Sequence, residues 1–235
     1  MTETKNRASG SRDGRRPMIA AAALFLVAVL LLVLGVRFRG WQSRGEESRL
    51  VALVNPWNRI DEVDFRPRLK TVEGVSVDKS AAGPLEELLA ACRTAGFSPQ
   101  ASEGYVDREE QTRRFEEAVQ ALRERDGMDE ETARARAAET VPVPGTCEHE
   151  LGLAVHLSDP ADDEGLQRWL EENAWQYGFI LRYPADGQAV TGVPYTPGHY
   201  RYVGLAAASQ IYMLRVTLEE YIDLFYSDEA KIVFE

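Results

Sequence analysis

Cysteine, histidine and long hydrophobic runs are all scarce in this sequence, and each shortage removes a class of protein. Cys92 and Cys147 are the two cysteines among 235 residues. That is too few for a disulfide scaffold, and sequence alone does not show whether their Cα atoms lie close enough to pair. There is no CxxC pair, no Walker loop, no dinucleotide-binding glycine pattern, no internal repeat and no low-complexity tract. Basic residues are also in deficit: 27 Lys and Arg stand against 38 Asp and Glu, for a net charge of −11. Phosphate recognition needs clustered Lys and Arg, so nucleic acid is excluded as a partner.

One hydrophobic run stands out. Met18 to Val36, "MIAAAALFLVAVLLLVLGV", is 19 residues without a charge. At about 1.5 Å per residue it nearly spans a hydrocarbon core of about 30 Å. A signal peptide would have a shorter apolar stretch and a small-residue cleavage pattern, which "GVRFRGWQ" does not offer. Lys5, Arg7, Arg12, Arg15 and Arg16 precede the run, so the N-terminus is expected in the cytoplasm and the rest outside. Residues 1–36 carry five basic and two acidic groups, which leaves −14 for the remainder. The expected organisation is a cytoplasmic basic tail (1–17), a transmembrane helix (18–36), a stalk (37–49), one folded domain (50–226) and a C-terminal tail (227–235).

Within the folded domain, "LVALVNPWNRI" predicts a short apolar strand and a turn at Pro56 and Asn58. Leu85, Leu88, Leu89 and Cys92 repeat at helical spacing over Ser80–Gly96, with Gly96 as the stop signal. "FSPQASEGYV" predicts a strand and loop. Arg108 to Glu139, rich in Glu, Arg and Ala, predicts one long helix or two broken near Gly127, its charges forming a solvated face. "GLAVHL", "FILRY" and "YRYVG" read as strands; "DEGLQRWLEENAWQYG" and Leu205–Leu214 read as helices. Strands and helices mix without regular βαβ alternation. The fold class expected is α+β, a compact domain with a small antiparallel sheet flanked by helices.

The three histidines are His149, His156 and His199. The first two lie seven apart, so one unbroken strand would send their rings to opposite faces. Gly152 between them permits a turn that lets both converge. Three neutral imidazoles around an open fourth position make a legitimate zinc site. Separate structural roles are the competing reading.

The surrounding words favour the metal. "PGTCEHELGLAVHL" resembles the "PGxSEHxxGxAxD" segment of the zinc-dependent D-alanyl-D-alanine carboxypeptidases of the VanY type. "VTGVPYTPGHYRYVG" resembles their "TGxxYEPWHxRYVG", and "SEGYVDREEQ" their "SSGYRSxxxQ". "LVNPWN", "NAWQYGFILRYP" and "LEEYI" fit as well, so the likeness runs from about Leu50 to Leu224. It implies the α+β fold shared with the hedgehog signalling domain, with zinc held by His, Asp and His. It also implies a Glu base in the "EPWH" word and an Arg that holds the substrate carboxylate. On that pattern His149 and His199 match the two histidine ligands and His156 takes the aspartate's place. Tyr105, Gln111, Glu148 and Gly152 still fit, Tyr105 and Gln111 as substrate-binding positions. Thr196 stands at the base position and Val106 at the carboxylate-binding Arg. Glu103 and Asp107 replace serines, Cys147 replaces another serine, and Gly198 replaces Trp.

Those exchanges bear on chemistry. Peptide hydrolysis at zinc needs a proton shuttle, worth about 10²–10⁴-fold, and Thr cannot ionise near neutrality. Val106 offers no charge-assisted bond to a carboxylate, and Glu103 and Asp107 would repel one. Against this, replacing Asp by neutral His raises the positive charge around the metal, and a three-histidine zinc lowers its water's pKa to about 7. Glu148 and Glu150 are then the alternative candidates for the shuttle. Three classes of function follow. The chain is an active peptidase on peptidoglycan stem peptides, an inactive relative binding a ligand or envelope protein, or a structural module without metal.

Overall fold

Asp78 shows how the domain begins its first long helix. Its carboxylate accepts the Ser80 backbone N–H at 2.9 Å, a helix N-cap, and Arg49 grips it with two nitrogens at 3.1 and 3.2 Å. The computed structural model describes residues 48–61 and 65–226. The expected membrane segment (18–36), both tails and most of the stalk lie outside them. Among the described residues no helix is long and apolar enough to cross a membrane.

A hairpin of β1 (Leu69–Val72) and β2 (Val75–Asp78) leads into helix α1 (Lys79–Thr94). This hairpin, which turns at Glu73-Gly74, is not among the elements read from the sequence. Helix α1 buries Leu85, Leu88, Leu89 and Cys92, the face that the spacing predicts, and Gly96 follows at φ +100°. Then come β3 (Gln100–Ser102), α2 (Arg108–Asp126) and α3 (Glu130–Ala137). The charged stretch is thus two helices, parted at Gly127, whose φ of +64° is easy for glycine and costly for most other residues. Arg113 pairs with Glu110 and Glu117 on its exposed face, as i,i+3 and i,i+4 spacing allows.

The second half holds β4 (Ala154–Ser158), α4 (Asp163–Asn173), β5 (Phe179–Leu181), the short α5 (Gln188–Thr191) and β6 (His199–Tyr202). Helices α6 (Leu205–Leu214) and α7 (Leu218–Tyr226) close the domain. The main sheet has the order β3-β4-β6-β5 and every pairing is antiparallel. One face carries Val155, Leu157 and Tyr200 into a core with Leu85, Leu89, Leu166 and Leu170. Because side chains alternate along a strand, His156, His199 and Arg201 take the opposite face. The small antiparallel sheet with flanking helices is the α+β arrangement expected.

One local expectation is corrected. Leu50 to Val54 forms no strand; its apolar side chains are buried, but the carbonyls of Leu50 and Ala52 both accept from Arg201 Nη2 at 3.0 Å. A buried guanidinium takes the acceptors that a neighbouring strand would otherwise use. Asn55 and Asn58 close the turn after it with paired backbone bonds of 3.0 and 3.1 Å.

Candidate metal centre

The sheet register brings the first two ligand candidates together. His156 on β4 is the direct partner of His199 on β6, so both rings rise from the same face. Their centroids are 4.7 Å apart, and Nδ1 of His199 lies 3.0 Å from Nε2 of His156. His149 arrives by a different route. It sits in a 3₁₀ turn, Glu148–Leu151, which ends at Gly152 with φ +69° before β4 starts. That break, the one Gly152 was expected to allow, lets a ring seven residues upstream stack on His156 at 5.4 Å. A ligand nitrogen from each of the three lies within 4.8 Å of the others.

The neighbours orient these rings. Nδ1 of His149 is 2.8 Å from the carbonyl of Gly104, a partner that can only accept, so Nδ1 carries the proton and Nε2 keeps its lone pair. Gly104 cannot be another residue in this arrangement, since a Cβ there would meet the Ser76 carbonyl at 2.2 Å. Nε2 of His149 is buried and has no hydrogen-bond partner among the described residues. An orphaned, deprotonated imidazole nitrogen beside two other imidazoles is what a borderline-soft divalent cation would occupy. The residues therefore fit zinc. Burial, then repulsion from His199, lowers the His149 pKa to about 3, and burial also lowers that of His156. Near neutrality both are in the state that binds metal.

Behind the histidines lies a buried set of charges that sequence reasoning missed. Glu148 pairs with Arg182 at 2.8 Å and Arg201 at 2.9 Å, and Arg182 also pairs with Glu219 at 2.6 Å. Burial alone would push the Glu148 carboxyl up, but the two guanidinium groups hold it well below the usual carboxylate range. The signal available in sequence was Glu, Arg and Arg inside the apolar words "CEHELGLA", "FILRYP" and "HYRYVG". Glu148 is thus committed, and so is Glu150, which pairs with Arg108 and accepts the Gly145 N–H at 2.7 Å. Neither is free to replace a missing proton shuttle.

The histidines open onto a cavity of about 940 Å³ whose wall includes Thr196, Gln111, Glu103, Arg59 and Arg114. Thr196 turns its hydroxyl onto the Pro194 carbonyl at 2.9 Å. Gln111 is buried, with its amide donating to the Pro142 carbonyl at 2.7 Å. Tyr105 is not among the residues lining the cavity; burial pushes its phenol up while nearby Arg66 works the other way. Val106 is buried with its N–H on the His149 carbonyl at 3.2 Å, and does not line the cavity either. Asp107 caps α2 by accepting the Glu110 N–H at 2.8 Å, which corrects its expected role as a charge facing the substrate. Both cysteines are buried free thiols, their pKa values pushed up to about 12 by burial.

A small antiparallel sheet bearing two histidines, joined by a third from a tight turn before the strand, defines an α+β domain of the metallopeptidase type. Residues 74–205 match the VanY family, described as D-alanyl-D-alanine carboxypeptidase. The chain belongs to that family. It is 40% identical over 187 residues to a D-alanyl-D-alanine carboxypeptidase of Enterococcus faecalis, covering 77% of this chain and 69% of the relative. Among solved structures, the vancomycin resistance D,D-pentapeptidase VanY from a VanB-type cassette, a mutant in complex with Zn(II), is 38% identical with a TM-score of 0.66. That match covers 74% of this chain and 99% of the other. VanYB in complex with D-alanine-D-alanine is 37% identical with a TM-score of 0.67, covering 75% and 98%.

Proposed function

We propose that this chain is a membrane-anchored envelope protein that holds zinc on His149, His156 and His199, with D-Ala-D-Ala carboxypeptidase activity lost or strongly reduced. The observation that carries the reading is the pairing of a converged histidine cluster with Thr196 at the place of the acid. Zinc, when bound, would polarise a carbonyl and acidify water. The protein's part is to orient the His149 ring through the Gly104 carbonyl and to set the Glu148 charge facing His199. At Thr196 it presents a hydroxyl already donated to Pro194, which cannot take a proton from water and pass it to a leaving amine as a carboxylate would. The ligand proposed for this site is a peptidoglycan stem peptide, by likeness to VanYB, which is solved with D-alanine-D-alanine; the cavity wall offers Arg59 to a carboxylate, while Arg114 is already paired with Glu103 and Glu110. The 19-residue run Met18–Val36 is the support for anchoring, with the domain outside the cytoplasm.

The test is release of D-alanine from a D-Ala-D-Ala peptide by zinc-loaded protein. Negligible turnover together with binding of the peptide is the expected result. Robust release that a chelator abolishes would show the alternative, an active three-histidine peptidase.

A further inference from the structure

We propose that Glu103 is the fourth ligand of the metal, converting an open catalytic zinc site into a closed one; this rests on the three-histidine reading above. Catalytic zinc keeps a position free for water or substrate, whereas structural zinc is held by four protein groups. Three histidines alone would leave the site open. Glu103 supplies the missing carboxylate from the neighbouring strand. Ser102 at the end of β3 is the register partner of His156, which puts Glu103 one residue past the cluster's edge.

Three independent observations converge on this residue. Its Oε2 is 3.7 Å from Nε2 of His156. Two groups bound to one tetrahedral zinc at about 2.0–2.1 Å stand about 3.4 Å apart, so toward His156 the separation is close to that of shared ligands. The set whose ligand atoms all lie within 4.8 Å of one another is the three histidines, and Glu103 joins it only by turning its side chain toward them. Second, Glu103 is held at φ +49°, a left-handed conformation that costs a non-glycine residue energy. Among the described residues only Glu73 and Arg215 share it, one in the β1–β2 turn and the other at the C-cap of α6. Glu103 opens the turn that brings Gly104 against Ser76 and onto the His149 ring, so its left-handed backbone belongs to the loop that positions the cluster. Third, the backbone beyond it is pinned. Tyr105 N–H bonds to the Ser76 carbonyl at 2.6 Å, Val106 N–H to His149, and the Gly104 carbonyl holds the His149 ring. The remaining approach to a shared cation is side-chain rotation alone, and Arg114 steadies the carboxylate on the cavity side.

Charge gives the same answer. His156 replaces an anionic ligand on the family's pattern, and Glu103 replaces a serine, so the carboxylate has moved from β4 to β3 and the charge around the cation is kept. With four protein ligands no position remains for the attacking water. Loss of the acid at Thr196 then costs nothing further.

The experiment measures zinc dissociation constants by competition with a chromophoric chelator at neutral pH. Native protein, Glu103→Gln, Glu103→Asn and Glu117→Gln are compared, with folding checked by circular dichroism. Asn tolerates left-handed backbone, so one of the two Glu103 variants keeps the loop intact. Both should bind zinc at least about tenfold more weakly than native, while Glu117→Gln, an exposed carboxylate on the same cavity wall, stays within about twofold. In the cobalt(II) form, added azide should leave the native visible spectrum unchanged and alter that of Glu103→Asn. Equal zinc affinity in native protein and both Glu103 variants overturns the fourth-ligand assignment, as does an azide response in native protein. Failure of native protein to bind zinc at all would instead defeat the three-histidine reading on which it stands.

Discussion

Oε2 of Glu148 faces Nε2 of His199 across 3.8 Å, although its neighbour in sequence is a different ligand candidate, His149. One turn of 3₁₀ helix therefore delivers both a candidate metal-binding ring, His149, and a carboxylate that faces the ring on β6 at a distance longer than a hydrogen bond. Glu148 can do this because Arg182 and Arg201, wholly buried behind it, keep it ionised. Neither Oε2 of Glu148 nor Nε2 of His199 has a hydrogen-bond partner among the described residues, and a carboxylate that closed onto the second nitrogen of a ligating histidine would fix its tautomer and strengthen its donation.

Removing one member of that buried set should be costly. Arg182→Met leaves Glu148 with one partner and strips Glu219 of both its contacts with Arg182. Breaking a buried pair from one side costs about 3–5 kcal/mol, so urea denaturation should show a loss of that order. The zinc affinity should weaken as well, by about tenfold or more, because the buried charge that faces His199 is disturbed.

Acid should destabilise the metal-free protein through His149. Its folded pKa is lowered to about 3, by burial first and by His199 second. The unfolded residue takes a proton below about pH 6.5, which the folded one refuses until about pH 3. The unfolded state therefore binds more protons in that window, and stability falls as pH drops through it. Thermal melts between pH 7 and 4.5 should show a smaller decline in His149→Gln than in native protein; an identical decline would remove His149 as the cause.

Much of this site is legible in sequence for a physical reason: metal ligands must be particular residue types, and three histidines cannot hide among 235 residues. The spacing of seven and Gly152 between them already implied a break in the strand. What could not be read was commitment. Asp107, Glu148 and Glu150 look like free acids in a string, yet one caps a helix, one neutralises two buried guanidinium groups and one pairs with the half-buried Arg108. The β1–β2 hairpin and the irregular path of Leu50–Val54 also escaped, since each is set by distant partners, Gly152 and Arg201. The significance of Glu103 depends on the β3–β4 register, which no local pattern encodes.

Restoring peptidase activity should need several changes at once. Thr196→Glu or Val106→Arg alone should yield almost no D-alanine, because groups that act as a unit are strongly non-additive. Combined with His156→Asp and Glu103→Ser, they recreate the family's ligand set, base and carboxylate anchor. Asp107 can become Ser without loss of its cap, since Ser serves there too. Measurable turnover is expected from the combination, assayed by D-alanine release. Turnover by Thr196→Glu alone would show that the site was open all along.

Topology has its own test. Protease added to intact spheroplasts should digest the domain that follows Arg37, given the basic flank before Met18. Complete protection would contradict the anchored, extracytoplasmic orientation.

The most direct measurement is zinc content. Protein purified without chelator and dialysed at neutral pH should carry one zinc per chain, and His149→Ala, His156→Ala or His199→Ala should each lower that occupancy sharply. Native protein that takes up no stoichiometric zinc, or alanine variants that hold it as well as native, would contradict the three-histidine centre.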